Sequence, residues 1–205
     1  MQLARMNSGF RQATFACMTN ALSTERGTLW TIGHSTRDWP TFVAMLAEHG
    51  IGCLVDVRRF AGSRRNPQYF PAAMAPALHA EGIAYLPMPE LGGRRTPQPD
   101  SPNGAWRVSA FRGYADYMAT DDYVSARQRL TTQAASGHCV VMCAEALWWR
   151  CHRRLIADDF VARDWQVIHA MAPGKLQAHP LNPAAVLRDD VLQYPAAADA
   201  QSRLF

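Results

Sequence analysis

The chain has 205 residues, 48% of them hydrophobic and 19% charged, which describes one globular domain of ordinary size and excludes a disordered chain. Its longest apolar runs fall far short of the ~18 residues a membrane span needs, so no membrane association is expected. A net charge of +4 is too modest to imply nucleic-acid binding by itself, but Lys175 is the only lysine among 21 basic residues, and arginine's planar fork suits phosphate, carboxylate and bases.

Residues 1–27 differ in composition from the rest. They hold three arginines, one acid (Glu25) and scattered Ser, Thr and Asn. They read as a flexible N-terminal extension with a faint transit-peptide composition and no long apolar signal core. The folded domain is expected over 28–188, with a C-terminal tail over 189–205.

Leu29-Trp30-Thr31-Ile32 predicts a first strand, ending at Gly33-His34-Ser35. Ser35 or Asp38 caps a helix to about Glu48, with Pro40 in its first turn and Phe42, Met45 and Leu46 on its buried face. Cys53 to Val57 is a second strand, opening into Arg58-Arg59 and a loop to Phe70. A helix from Pro71 to about Glu81 and a strand from Ile83 to Leu86 follow. Pro87 to Trp106 is rich in proline and glycine, and a loop that long inside a compact domain is usually functional or mobile. Two helices come next, Ala110 to about Met118 and Asp121 to about Ala135, the second capped by Asp121 or Asp122. Val140 to Met142 is the fourth strand, followed by a helix from about Cys151 to Arg163 and a fifth strand at Trp165 to Ile168. Lys175 to His179 suits a short edge strand. Strands alternating with amphipathic helices imply right-handed crossovers. The expected fold class is α/β, a single-domain three-layer sandwich with a mostly parallel central sheet.

Three strand ends carry polar groups: Gly33-His34-Ser35, Asp56-Val57-Arg58 and Cys143-Ala144-Glu145. In a parallel sheet these ends share one edge, where open α/β sheets bind their ligands. In order along the chain stand Thr31-Ile32-Gly33-His34-Ser35, Asp56-Val57-Arg58 with Ser63-Arg64, Leu91-Gly92-Gly93, Phe111-Arg112-Gly113-Tyr114-Ala115 with Tyr117-Met118, and Cys143-Ala144-Glu145 with Cys151-His152-Arg153. In the order and spacing of these motifs the chain resembles the bacterial and archaeal family catalogued as domain of unknown function 488. The motifs span about Thr28 to Met171. The loop between Glu145 and Cys151 departs from the pattern in being rich in tryptophan. The resemblance implies a fold and a shared site, with no established reaction.

Cys143, Glu145, Asp56 and His152 are the candidate catalytic residues. His34, Ser35, Arg58, Ser63, Arg64, Arg153 and Tyr114 are the candidate substrate-binding ones. A thiolate at Cys143 would need positive surroundings, which Arg150, Arg153, Arg154 and a helix N-terminus could supply. Cys143 to Arg150 has one residue too many for a phosphatase loop. Cys143, Glu145, Cys151 and His152 are ligand types for zinc or iron, but their spacing matches no common motif and no metal is assigned. Arg58, Arg59, Arg64, Arg65, Arg94 and Arg95 could line a phosphate-binding rim, and Tyr69, Phe70, Tyr114 and Tyr117 could stack a base. Five cysteines (Cys17, Cys53, Cys139, Cys143, Cys151) without tight disulfide spacing fit a reducing, cytoplasmic compartment, with Cys53 and Cys139 read as packing residues. The leading expectation is an enzyme with an anion-binding site, for a small anionic, nucleotide-like ligand or nucleic acid, at the strand ends. The alternatives are a non-catalytic nucleic-acid or nucleotide binding module and a metal- or redox-sensing cysteine protein. No cofactor, substrate, reaction or oligomeric state is readable.

Overall fold

Six strands form the sheet around which everything else packs, in the order β3-β2-β4-β1-β5-β6. The computed structural model describes residues 27–62 and 65–197. In chain order these strands are β1 (Thr28–Gly33), β2 (Cys53–Asp56), β3 (Ala84–Pro87), β4 (Cys139–Cys143), β5 (Gln166–Ala172) and β6 (Lys175–Ala178). The first five are parallel to their neighbours, and β6 runs antiparallel on β5. The helices are α1 (Trp39–Glu48), α2 (Pro71–Ala80), α3 (Ser109–Tyr117), α4 (Asp121–Ser136) and α5 (Arg153–Val161).

Strand alternation splits the core into two layers. Val140 and Met142 of β4 point to one side with Phe42, Leu46, Met74 and Leu78 of α1 and α2. Cys139 and Val141 point to the other, with Leu130 of α4 and Leu155 and Phe160 of α5. Residues buried on both faces explain why β4, at the sheet's centre, reads as an unbroken apolar run. The three-layer α/β sandwich is therefore the observed fold. Each fully buried aliphatic side chain contributes about 1.5–3 kcal/mol, and the central strands supply many of them.

Local chemistry fixes the helix starts. The Asp38 side chain accepts from Thr41 N at 2.7 Å and caps α1, so Ser35 is not the cap. For α4 the cap is Thr120, accepting from Tyr123 N at 3.4 Å. Asp121 and Asp122 sit instead in its first turn, where the helix dipole favours acids. Trp148–Arg150 forms a 3₁₀ turn and Cys151 is extended (φ −120°, ψ 149°), which corrects the expected helix start at Cys151 to Arg153.

The expected tail begins inside the fold. β7 (Val186–Arg188) pairs antiparallel with β8 (Val191–Gln193) across Asp189 and Asp190, both left-handed at φ 46° and 64°. Aspartate tolerates that conformation, and two such residues make the two-residue hairpin turn. Leu192 and Tyr194 bury into the α5 side of the core. The N-terminal extension, apart from Gly27, and residues 198–205 lie outside the described residues, as do Ser63 and Arg64.

Candidate functional site

Parallel register brings the polar strand ends together. Gly33 pairs with Cys143, and Asp56 with Met142. Beyond the strands, His34 N bonds Cys143 O and Ser35 N bonds Ala144 O, each at 2.9 Å. The loop after β4 then folds over β1 so closely that a Cβ on Gly33 would sit 1.9 Å from Glu145 O.

Asp56 is buried and accepts four hydrogen bonds. Its Oδ1 takes Arg58 N (3.1 Å) and Nε (2.8 Å), and its Oδ2 takes Arg58 Nη2 (2.6 Å) and the Tyr85 hydroxyl (2.8 Å). With every lone pair engaged, Asp56 anchors Arg58 and is not free to act as the catalytic base expected from the sequence. Arg58 is thereby aimed at the Nε2 of His34, 3.1 Å from Nη1. A guanidinium can only donate, so Nε2 accepts and Nδ1 carries the proton given to Ser35 O at 2.9 Å. Burial lowers the His34 pKa to about 4, with the Arg58 charge acting in the same direction and the Ser35 bond opposing. His34 is a neutral acceptor stacked on Tyr69, with ring centroids 4.0 Å apart.

The sulfur groups lie at the adjoining strand end. The ligating atoms of Cys143, Cys151 and His152 all lie within 4.8 Å of one another. Cys151 Sγ is 3.6 Å from His152 Nδ1 and 3.5 Å from Arg153 Nε. The hydrogen bond from Cys143 pulls the Cys151 thiol well below its usual range, helped by His152 and Arg153 and opposed by burial. The same bond, with burial, pushes the Cys143 thiol well above it. Cys143 is half-buried, and Cys151 is buried beside it. Adjacent Cys151 and His152 meet because Cys151 is extended rather than helical.

Two expected ligand-binding residues are buried. Arg153 is 1% exposed. It donates to Glu145 O, to Ala146 O (3.4 Å) and to Thr31 Oγ1 (3.4 Å), and so brackets the loop that carries Glu145. Tyr114 is fully buried, with its hydroxyl on Leu91 O at 2.7 Å and its ring 5.2 Å from that of His152. Behind Arg153 runs a buried chain absent from the sequence reading. Thr31 Oγ1 is 2.6 Å from His169 Nδ1, His169 Nε2 is 3.0 Å from His179 Nδ1, and His179 Nε2 is 2.9 Å from Asp158 Oδ1. Burial, with the neighbouring His179 charge, lowers the His169 pKa to about 2. Trp148 stacks on His169 at 4.5 Å, so this tryptophan of the unusual loop is a packing residue.

Three adjoining hollows form the cleft. One of about 450 Å³ lies against His34, Ser35, Arg58, Phe60 and Arg94. One of about 130 Å³ lies between Arg58, Arg59, Gly93, Arg94 and Cys143. One of about 430 Å³ lies against Arg94, Cys143, Glu145, Arg150 and His152. Glu145 is the one acid among their described lining residues, and its Oε1 accepts from Leu147 N at 3.2 Å. Arg95 turns away onto the Tyr117 ring (3.5 Å), and Tyr69 is buried beneath His34. Phe111 lines the hollow beside His152, and Phe60, 64% exposed, faces the cleft with Arg59 and Arg94 at 5.5 and 5.7 Å from its ring. An exposed phenylalanine in an arginine-rich loop was its only sequence signal.

No curated protein and no solved structure matches the chain. A family model does match, over residues 38–160, within the stretch the motifs mark and containing Asp56, Arg58, Cys143, Glu145 and the Cys151-His152-Arg153 run. The chain belongs to the family described as Domain of unknown function DUF488.

Proposed function

We propose that the strand-end cleft is the active site of an enzyme that binds an anionic, nucleotide-like ligand and presents Cys143 to it. The observation that carries this reading is the position of Cys143 between two hollows walled by Arg58, Arg59, Arg94 and Arg150 against a single acid. Arg58, held by Asp56, is a pre-set donor. Arg59, Arg94 and Arg150 have no carboxylate partner among the described residues and supply uncompensated positive charge. Phe60 offers a face on which a planar base can stack. Glu145, exposed at the outer hollow, is the group free to give or take a proton. A purely binding module would use the same arginines and leave the Cys143–Cys151 pair without a role. Among the described residues no helix is long and apolar enough to cross a membrane. The four described cysteines are free, which supports a reducing, cytoplasmic setting.

The test is alkylation of Cys143 by iodoacetamide, followed by peptide mass spectrometry, with and without inorganic pyrophosphate or ADP. Either anion should slow modification several-fold, and Arg58→Met or Arg94→Met should remove the protection. Alkylation indifferent to both anions at millimolar concentration overturns the reading.

A further inference from the structure

We infer that Cys143, Cys151 and His152 form a binding site for a soft divalent cation of the zinc class, with its fourth position open to the cleft. The inference deepens the active-site reading and rests on it for what that open position faces.

The spacing is compatible with a tetrahedral face. Bond lengths of about 2.3 Å to sulfur and about 2.0 Å to nitrogen put tetrahedral ligands about 3.5 Å apart for sulfur–nitrogen pairs and about 3.8 Å for sulfur pairs. Cys151 Sγ to His152 Nδ1 is 3.6 Å, and all three ligand atoms fall within 4.8 Å. The atoms come from two places, the end of β4 and the two residues just before α5, so backbone on both sides holds them in place.

The surroundings suit a cation. A Cβ on Gly93 would lie 2.8 Å from His152 Nδ1, so glycine there leaves the ligating edge of the imidazole clear. His152 Nε2 is buried with no hydrogen-bond partner among the described residues. Arg153 Nε, 3.5 Å from Cys151 Sγ, is placed as the outer donor that metal-bound thiolates commonly accept. Two thiolates, one cation and the Arg153 charge leave the centre net positive, which matches an anionic ligand.

Three protein ligands and one open position are the mark of a reactive rather than a structural centre. Cys143 and His152 border the outer hollow, and Glu145 and Arg150 stand at the same wall. Water bound at the open position would meet the anionic ligand there, with Glu145 in reach as proton carrier. Both sulfurs bind as thiolates, so uptake of the cation releases the thiol protons of the Cys143–Cys151 pair to solvent.

A sulfur pair of another kind serves as control. Cys53 and Cys139 face each other in register at the opposite ends of β2 and β4, outside the candidate cluster.

The full chain, reduced and stripped with chelator, is titrated with cobalt(II) and then zinc. The expected result is one cobalt per chain, with the intense visible bands of a tetrahedral site and a near-ultraviolet thiolate band, all erased by zinc. Cys151→Ser, His152→Ala and Gly93→Ala should lose the spectrum, and Cys53→Ser should keep it. Should circular dichroism show Cys151→Ser unfolded, the His152 and Gly93 variants decide. An absent tetrahedral spectrum, or one unchanged in the His152 and Gly93 variants, overturns the inference. Anion protection of Cys143 in the metal-free protein reports the cleft separately: protection without cobalt uptake defeats the metal site alone, and cobalt uptake without protection defeats the anion reading alone.

Discussion

The Nε of Arg153 lies 3.5 Å from the Sγ of Cys151, and no carboxylate lies within ion-pair distance of that buried guanidinium among the described residues. A charge so placed favours the thiolate form of the sulfur it donates to, alongside the hydrogen bond from Cys143. This ties the ionisation of the sulfur pair to the loop it serves, since the same guanidinium holds the Glu145 and Ala146 carbonyls.

Arg153→Met should therefore have two effects. The thiolate absorbance of Cys151 should titrate nearer the free-thiol value of about 8.5. Stability in urea should fall by about 0.5–1.5 kcal/mol for each part-buried carbonyl bond lost. Lysine at this position restores charge without the fork, so it should recover the titration better than the stability. A variant as stable as the parent, with an unmoved thiolate, would sink the role assigned to Arg153.

Asp56→Asn breaks the clamp on Arg58. Both side chains are nearly inaccessible, at 2% and 6% exposure, and removing one partner of a buried pair costs about 3–5 kcal/mol. Urea unfolding checks the cost. Protection of Cys143 by pyrophosphate should weaken in parallel, because the guanidinium would no longer be fixed between Asp56 and His34. A loss under about 1 kcal/mol would contradict the clamp assigned to Asp56.

The sheet was legible because its strands are short apolar runs separated by capped helices. Convergence of His34, Asp56 and Cys143 followed from parallel topology alone. What each group does at that edge was not legible. Asp56 looks like a base until its four donors are counted, and Arg153 and Tyr114 look like ligand contacts until α5 and α3 bury them. The His169–His179–Asp158 chain was hidden because its members come from β5, the segment after β6 and α5, and only packing brings them together. The β7–β8 hairpin was hidden for a local reason: two aspartates, rather than Asn-Gly, make its turn.

His34 predicts a pH dependence with a definite sign. Its pKa falls from 6.5 in the unfolded chain to about 4 in the fold, with Arg58, Asp56 and Arg153 as the charges around it. The folded state binds the proton more weakly, so His34 contributes its stability above pH 6.5 and loses it as pH falls toward 4. His34→Gln keeps an acceptor for Arg58 and removes the titration. Parent and variant should run parallel above pH 6.5, and between there and about pH 4 the parent should lose stability relative to the variant, with a slope difference of at most about 1.4 kcal/mol per pH unit. Urea unfolding across that range measures it, and identical slopes would contradict the buried neutral imidazole.

Gly33→Ala tests the close crossing of β1 by the loop after β4. The added Cβ would lie 1.9 Å from Glu145 O and 2.8 Å from Ala146 Cα, both backbone, so no side chain can rotate out of the way. Either the loop lifts or β1 shifts. The loop is the weaker partner, since Arg153 supplies its buried hydrogen bonds and Glu145 itself is exposed. Lifting it would pull the Glu145 carbonyl off Arg153 and let water reach the sulfur pair. The variant should stay folded but unfold at lower urea, with Cys151, 4% exposed in the parent, open to alkylation alongside Cys143. If Cys151 stays protected and stability is unchanged, the crossing is looser than a glycine-only contact and the loop does not seal the thiolate.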